Sequence, residues 1–329
     1  MFRSKVGVNF FMYLSDIVAN QSIALVEEKK KEEQRKKSNS RQATIFRLAG
    51  VLCIAAAAGC LFYFNYTSRL EAESEAEMKR LREMQNMTGQ YIEDEAYSEE
   101  TAKQNQLAIE KEQEKLEPKE ETKKPEIDVS KLTVLPEYEK LYRENPDLIG
   151  WITIDDTPIN YPVLQSDEED GQFYLTHSFS KKKDKNGSLF LDQRNDFVNR
   201  DTNLIIYGHN MRSGAMFGTL KQYLDKDYLT AHKKISFDTI YEHGTYEVIG
   251  AFLSEVSYED EYTFRYYNFL NAANEKEFEA FSVNVMQLDA LDQGNLDAEY
   301  GDELLTLSTC NSYTEDGRMF IIAKKIKDK

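Results

Sequence analysis

The run LAGVLCIAAAAGCLFYF, Leu48 to Phe64, is apolar without interruption, and Ile45, Phe46 and Tyr66 extend it on either side. That length just reaches the roughly 17–25 apolar residues a bilayer-spanning helix needs. The run therefore divides the 329-residue chain into parts that meet different solvents, and it predicts a membrane helix over residues 45–66. Lys29, Lys30, Lys31, Arg35, Lys36, Lys37, Arg41 and Arg47 precede the run, whereas Glu71, Glu73, Glu75 and Glu77 follow it. Positive residues stay in the cytoplasm, so residues 1–44 are expected inside and the chain beyond Phe64 outside. A cleaved signal peptide has a shorter charged lead and a small-residue cleavage site followed by polar sequence. The string AAAAGC loosely matches a lipoprotein cleavage box ending at Cys60, but the apolar run continues through Leu61, Phe62, Tyr63 and Phe64. Residues 6–26 are expected to form a short amphipathic helix on the inner membrane face.

The formal net charge of −17 argues against nucleic acid as a partner, because binding to phosphates rests on Lys and Arg. Much of the acidity lies in residues 67–131, rich in Glu, Lys and Gln with few apolar anchors. Such a composition buries too little surface to fold alone. The segment is expected to be an extracellular linker, partly helical or disordered, with EAEMKRLREMQNM as a solvated helix ending at Gly89. A coil of about 70 residues spans roughly 45 Å root-mean-square, enough to hold a domain off a membrane.

From Leu132 the texture changes to short β-branched and aromatic runs separated by turn residues. Pro136 opens a short helix, PEYEKLYREN. The strands GWITI, INYPVL, GSLFL, NLIIYG, KISFDT, TYEVIGAFLSE, ELLTLST and RMFIIAKKI follow. Two helices are expected between them: Ala215 to Leu224, and NEKEFEAFSVNVMQL, capped by Asn274 and with Phe278, Phe281, Val285 and Leu288 at helical spacing. Eight short strands with few helices predict an antiparallel or mixed barrel over residues 132–329. No internal repeat, glycine-rich phosphate loop or pair of metal-ligand motifs is present, and no metal or organic cofactor is expected.

Of the three cysteines, Cys53 and Cys60 lie in the apolar run, so Cys310 is alone in the outer part. A lone thiol outside the membrane is open to oxidation; a buried, inert sulfur is the simple reading. Position argues otherwise, because Cys310 ends a strand and is followed by the polar loop NSYTEDG. At a reference pKa of about 8.5, a thiol needs a base or a cation to react near neutrality. Of the four histidines, His209 stands directly after an apolar strand and a glycine, whereas His177, His232 and His243 read as structural or solvated. If the strands around residues 304–310 and 318–326 pair across a hairpin at Asp316-Gly317, Arg318 faces Cys310. A guanidinium there suits an oxyanion or a substrate carbonyl. Ser308, two residues before Cys310 on the same strand face, is a candidate substrate contact.

The segments YGHNM (Tyr207–Met211), TLSTC (Thr306–Cys310) and GRMFIIAKK (Gly317–Lys325), in this order, resemble the catalytic segments of sortases. The helix at Pro136 and the long helix before the cysteine strand resemble class B in particular. The resemblance covers about residues 132–329. It implies a mainly β, eight-stranded sortase-type barrel and a membrane-anchored cysteine transpeptidase. In that reading Cys310 is the nucleophile, His209 the acid and base, and Arg318 the oxyanion or substrate clamp; a third, carboxylate member behind His209 is not identifiable. The implied partners are secreted proteins bearing a C-terminal sorting signal, cut after threonine, and an amine of peptidoglycan or its precursor. Pilin polymerisation, hydrolysis by the same residues, and a non-catalytic binding module are the alternatives.

Overall fold

The computed structural model describes residues 5–91, 95–114, 127–168, 171–255, 264–310 and 317–327. The chain divides into two compact units, residues 1–71 and 72–329.

The first unit is helical from Lys5 onward, part of α1 (Lys5–Tyr91). The segment from residue 6 is thus not a separate short helix; no proline interrupts the chain from Lys5 to Tyr91, and the helix continues through Gly50. Around the apolar run the side chains of Phe46, Leu52, Ile54, Leu61, Phe62 and Phe64 are exposed. By length and composition this stretch is apolar enough to cross a membrane.

The second unit is a closed barrel. After α1 come α2 (Glu95–Glu114), α3 (Pro136–Glu144), β1 (Leu148–Thr153), β2 (Asn160–Leu164), β3 (Leu189–Leu191) and β4 (Asn203–Tyr207). Then follow α4 (Lys226–Ala231), β5 (Lys234–Thr239), β6 (Thr245–Glu255), α5 (Glu275–Met286), β7 (Leu304–Cys310) and β8 (Gly317–Lys325). Around the barrel the order is β1-β2-β3-β4-β7-β8-β6-β5, closing from β5 back to β1. The pairs β2·β3 and β4·β7 are parallel and the others antiparallel, which makes the barrel mixed.

Alternation along the strands sorts the side chains into two cores. Leu204, Ile206, Leu305 and Leu307 join the main core with Val163, Leu189, Phe237 and Ile321. On the other face Leu304, Phe320 and Ile322 meet Phe278, Phe281 and Val285 of α5 in a second cluster. Burying such side chains stabilises the fold by about 1.5–3 kcal/mol each. Asn274 caps α5 by accepting a hydrogen bond from the Glu277 amide at 3.1 Å, as its sequence suggests.

Two sequence expectations need correction. The helix over Ala215 to Leu224 is replaced by a short 3-10 turn, Leu220–Leu224, followed by α4. Met216 takes a positive φ of 52°, and the amides of residues 216 and 217 are committed elsewhere: Met216 donates to the Tyr161 hydroxyl and Phe217 to the His209 carbonyl. These long-range bonds displace the i to i−4 pattern a helix requires. Asp225 then caps α4, accepting from the amides of Asp227 and Tyr228.

The helix of EAEMKRLREMQNM is also not wholly solvated. Met78, Leu81 and Met84 recur at three-residue spacing, are buried, and join the main core. Arg82 donates to the Asn160 carbonyl at 2.9 Å and lies over the Tyr161 ring, while Arg80 pairs with Glu144. In α2, Asn105 donates to the carbonyls of Thr133 and Tyr241 and accepts from the Thr133 amide. Three apolar residues in a charged helix suffice where long-range hydrogen bonds fix its register.

Candidate active site

Backbone register sets the site. The parallel β4·β7 ladder runs from Asn203↔Leu304 to Tyr207↔Ser308. It continues one residue past β4, where the Gly208 amide donates to the Ser308 carbonyl at 3.1 Å and the Thr309 hydroxyl donates to the Gly208 carbonyl at 2.7 Å. His209 is the next residue after Gly208, and Cys310 the next after Thr309. On the other side of β7, the antiparallel ladder to β8 pairs Cys310 with Arg318. Neighbouring strands lie about 4.8 Å apart, so three residues separated widely in sequence meet at one barrel end. The expected hairpin turn at Asp316-Gly317 lies outside the described residues except for Gly317, the first residue of β8.

Gly208 is required by close approach. A Cβ at this position would lie 2.3 Å from Leu189 Cδ2 and 2.8 Å from Phe217 Cδ2. Only a residue without a side chain lets the chain leave β4 between these two groups and turn to His209. The loop beyond is then pinned by the Phe217 amide on the His209 carbonyl, at 3.0 Å, and by the bridge between Asn210 and Met216.

The His209 ring is oriented by a backbone carbonyl. Its Nε2 lies 2.7 Å from the Leu175 oxygen. A carbonyl accepts only, so Nε2 carries a proton and Nδ1 is the nitrogen left for exchange. No carboxylate was identifiable in the sequence for this duty, and a main-chain oxygen fills it here.

A cavity of about 420 Å³ opens beside these residues, lined in part by Leu175, Tyr207, His209, Tyr266, Ser308 and Arg318. Ser308 is buried, and its Oγ shares a hydrogen bond of 2.7 Å with the Tyr266 hydroxyl. The Tyr266 ring stacks on Phe320 at 3.8 Å between centroids. The Arg318 guanidinium, half-buried, donates from Nη1 to the Gly317 carbonyl at 3.2 Å.

The cavity's remaining wall went unread in the sequence. Asp192 Oδ1 accepts from the Arg194 amide and Nε, and its Oδ2 accepts from Arg194 Nη2 at 2.7 Å and the Tyr207 hydroxyl at 3.0 Å. Burial opposes ionisation of Asp192, but the Arg194 side-chain and backbone hydrogen bonds and its charge outweigh it and hold the carboxyl below its ordinary value. Burial, then the Asp192 charge, raises the Tyr207 phenol above its ordinary range, so it serves as a neutral donor. The pattern DQR after an apolar strand is the only local signal for this pair, and it reads equally well as a surface turn.

The other histidines sit elsewhere. His177 stacks on Phe173 and contacts the Phe173 carbonyl, and His232 contacts the Asp155 carbonyl. His243 lies 3.1 Å from Asp238 and 3.5 Å from Glu137, a structural role in keeping with its sequence reading. Among the described residues no group of three or more His, Cys, Asp or Glu is arranged to hold a metal ion.

Comparison with known proteins gives the family. Residues 152–326 match the Sortase domain family. Sortase B of Listeria monocytogenes is 36% identical over 195 residues, 59% of this chain and 75% of that protein. Sortase B of Staphylococcus aureus is 30% identical over 194 residues, again 59% of this chain and 75% of the relative. The solved Staphylococcus aureus sortase B-substrate complex is similar with a TM-score of 0.51 and 28% identity, covering 71% of this chain and 96% of that one.

Proposed function

We propose how this chain, which belongs to the sortase family and to its class B and is a cysteine transpeptidase, divides the work among its residues. Cys310 is the nucleophile, His209 the proton carrier and Arg318 the oxyanion clamp. The observation that supports this assignment is the register: Arg318 pairs with Cys310, the β4·β7 ladder ends two residues before His209 and Cys310, and His209 and Arg318 both line the cavity.

The Cys310 thiolate attacks the threonine carbonyl carbon of a sorting signal, and the carbonyl oxygen takes the negative charge. Arg318, with its planar, cationic fork of N–H donors, is suited to stabilise that oxygen. When the tetrahedral species collapses, the C–N bond breaks and the departing amine takes a proton from His209 Nδ1. A thioester on Cys310 remains. An incoming amine then attacks it, gives its proton back to Nδ1, and expels the thiolate with an amide formed. The hydrogen bond from Nε2 to Leu175 keeps one ring position fixed through both transfers.

The family and the neighbour solved with a substrate support a reading in which the substrates are secreted proteins carrying a C-terminal sorting signal, and the acceptor in this reading is an amine of peptidoglycan or its precursor. The apolar helix, with basic residues before it and acidic ones after, supports a single-pass anchor with residues 1–44 in the cytoplasm and the barrel outside. Residues 67–131 then act as a connection whose far part, beyond Glu71, is built into the barrel unit.

The test is mass spectrometry of the detergent-solubilised chain incubated with a panel of peptides containing a Thr–X bond. An acyl adduct on Cys310 that disappears on adding an amine, with amide product rising as amine is titrated, is the expected result. Turnover that survives Cys310→Ala, or product that stays hydrolytic at every amine concentration, sinks the transferase assignment. A ladder of linked proteins in place of monomers on wall precursor would point to pilin polymerisation.

A further inference from the structure

Tyr266 and Tyr267, in the connection from β6 to β7, line the cavity, and residues of the loop between β3 and β4 and the start of β4 hold the stretch 267–271 in place. The Asn203 amide donates to the Leu270 carbonyl at 2.9 Å, and its side chain donates to the Phe269 carbonyl at 2.9 Å. Asn271 Oδ1 accepts from the Thr202 amide, and Asn271 Nδ2 donates to Asp201 at 2.7 Å. Nearest the cavity, Arg194 Nη2 donates to the Tyr267 carbonyl at 2.7 Å while both Asp192 oxygens hold the same guanidinium from behind. Next along the chain from that carbonyl is Tyr266, whose hydroxyl meets Ser308 on β7. Side-chain bonds thus run from Tyr207 on β4 through Asp192 and Arg194 to the Tyr267 carbonyl, and the neighbouring Tyr266 returns to the sheet at Ser308.

Arg194 is the one link in this chain that joins two separate loops through a planar fork. Its Nε and Nη2 are spent on Asp192, and Nη2 also reaches the Tyr267 carbonyl. A lysine offers one nitrogen and cannot do both in the same geometry. Asp192 is almost fully buried, so its carboxylate cannot exchange Arg194 for water at low cost.

We propose that Arg194 is a positioning residue that sets substrate specificity: braced by Asp192, it fixes the Tyr266–Tyr267 wall at the height where an extended peptide must pass to reach Cys310. The inference rests on Cys310 being the reacting end of the cavity. It assigns Arg194 to binding and not to bond making, because its guanidinium is bonded to Asp192 and to the Tyr267 carbonyl and reaches β7 only through the Tyr266–Ser308 contact. Its loss should therefore weaken ground-state and transition-state binding alike, raising KM with kcat nearly kept.

The experiment compares the full-length chain with Arg194→Gln and Arg194→Lys. Steady-state kinetics use the Thr–X peptide that gives the strongest Cys310 adduct, and amide hydrogen exchange is followed over residues 264–271. Arg194→Gln should raise KM about tenfold, the value of one charge-assisted hydrogen bond, with kcat within about threefold. Exchange over 264–271 should rise while that of β7 stays as in the parent. Arg194→Lys should restore exchange protection only in part, and it serves alone if the glutamine variant does not fold. An equal fall in kcat with KM unmoved, or unchanged exchange in both variants, would overturn the assignment. If no peptide is turned over by the parent, the exchange arm still decides on Arg194, and the failure belongs to the catalytic reading instead.

Discussion

The two walls of the cavity are held by different forces. On one side Cys310 and Arg318 are paired in a backbone ladder, and His209 follows by two residues the end of another at Tyr207↔Ser308. On the other, Tyr266 and Tyr267 take theirs from side-chain bonds to Ser308 and Arg194. A ladder position survives a change of side chain, because the amide and carbonyl that make it belong to every residue except proline. A side-chain-held wall moves when one side chain is changed. Substitutions on the first wall should therefore alter chemistry, and those on the second should alter shape.

The largest effect that could break this contrast is that of Arg318→Ala. If the guanidinium stabilises the oxyanion, kcat should fall about 10²- to 10³-fold, with the melting temperature little changed because the β7·β8 ladder persists. A fall in stability that matched the fall in rate would mean that Arg318 helps build its own wall. A smaller effect sharpens the other side. Tyr266→Phe removes the partner of the buried Ser308 hydroxyl and should cost about 1 kcal/mol in urea unfolding, with a raised KM and little loss of kcat. If instead kcat fell and KM held, Tyr266 would belong to the reacting centre.

The smallest effect lies far from the cavity and serves as the reference for both. His243 donates a hydrogen bond to the Asp238 carboxylate, which raises its pKa against the opposing effect of burial, and the charges of Asp238, Glu137 and Glu99 add to the rise. A raised value in the folded state means that the protonated ring is favoured by folding. Its contribution is full below the unfolded value of about 6.5 and is lost as pH climbs through the folded one. The ring is about 40% exposed, so the contribution should not exceed about 1 kcal/mol. Thermal melts of the parent and His243→Gln should differ most at mildly acid pH and converge above neutrality, with Cys310 chemistry unaffected at any pH where both are folded. Divergence that grows with pH would have the wrong sign.

What the sequence disclosed follows the same division. Ladder-held features were legible because they write themselves into local pattern: the eight strands, the Asn274 cap of α5, and the placing of Arg318 opposite Cys310. Features held by distant side chains were not. RYYN reads as an aromatic run, and nothing near Tyr266 announces a serine 42 residues later as its partner. AMFGTLKQYL has helical composition, yet Tyr161 and His209 claim two of its amides from outside. Met78, Leu81 and Met84 are too sparse to signal a buried face until the surface they cover is known.

The parallel pairing of β4 with β7 also governs when the site comes into being. Its strands are separated by about a hundred residues, as in the bond from Thr309 to Gly208 across 101 positions. Closing so long a loop carries an entropic cost that must be met before any contact repays it. The rim that carries His209 and Cys310 is thus among the last parts of the barrel to form. During biogenesis, a partly folded chain would keep its thiol and imidazole apart, so competence to acylate would report that the whole barrel has closed.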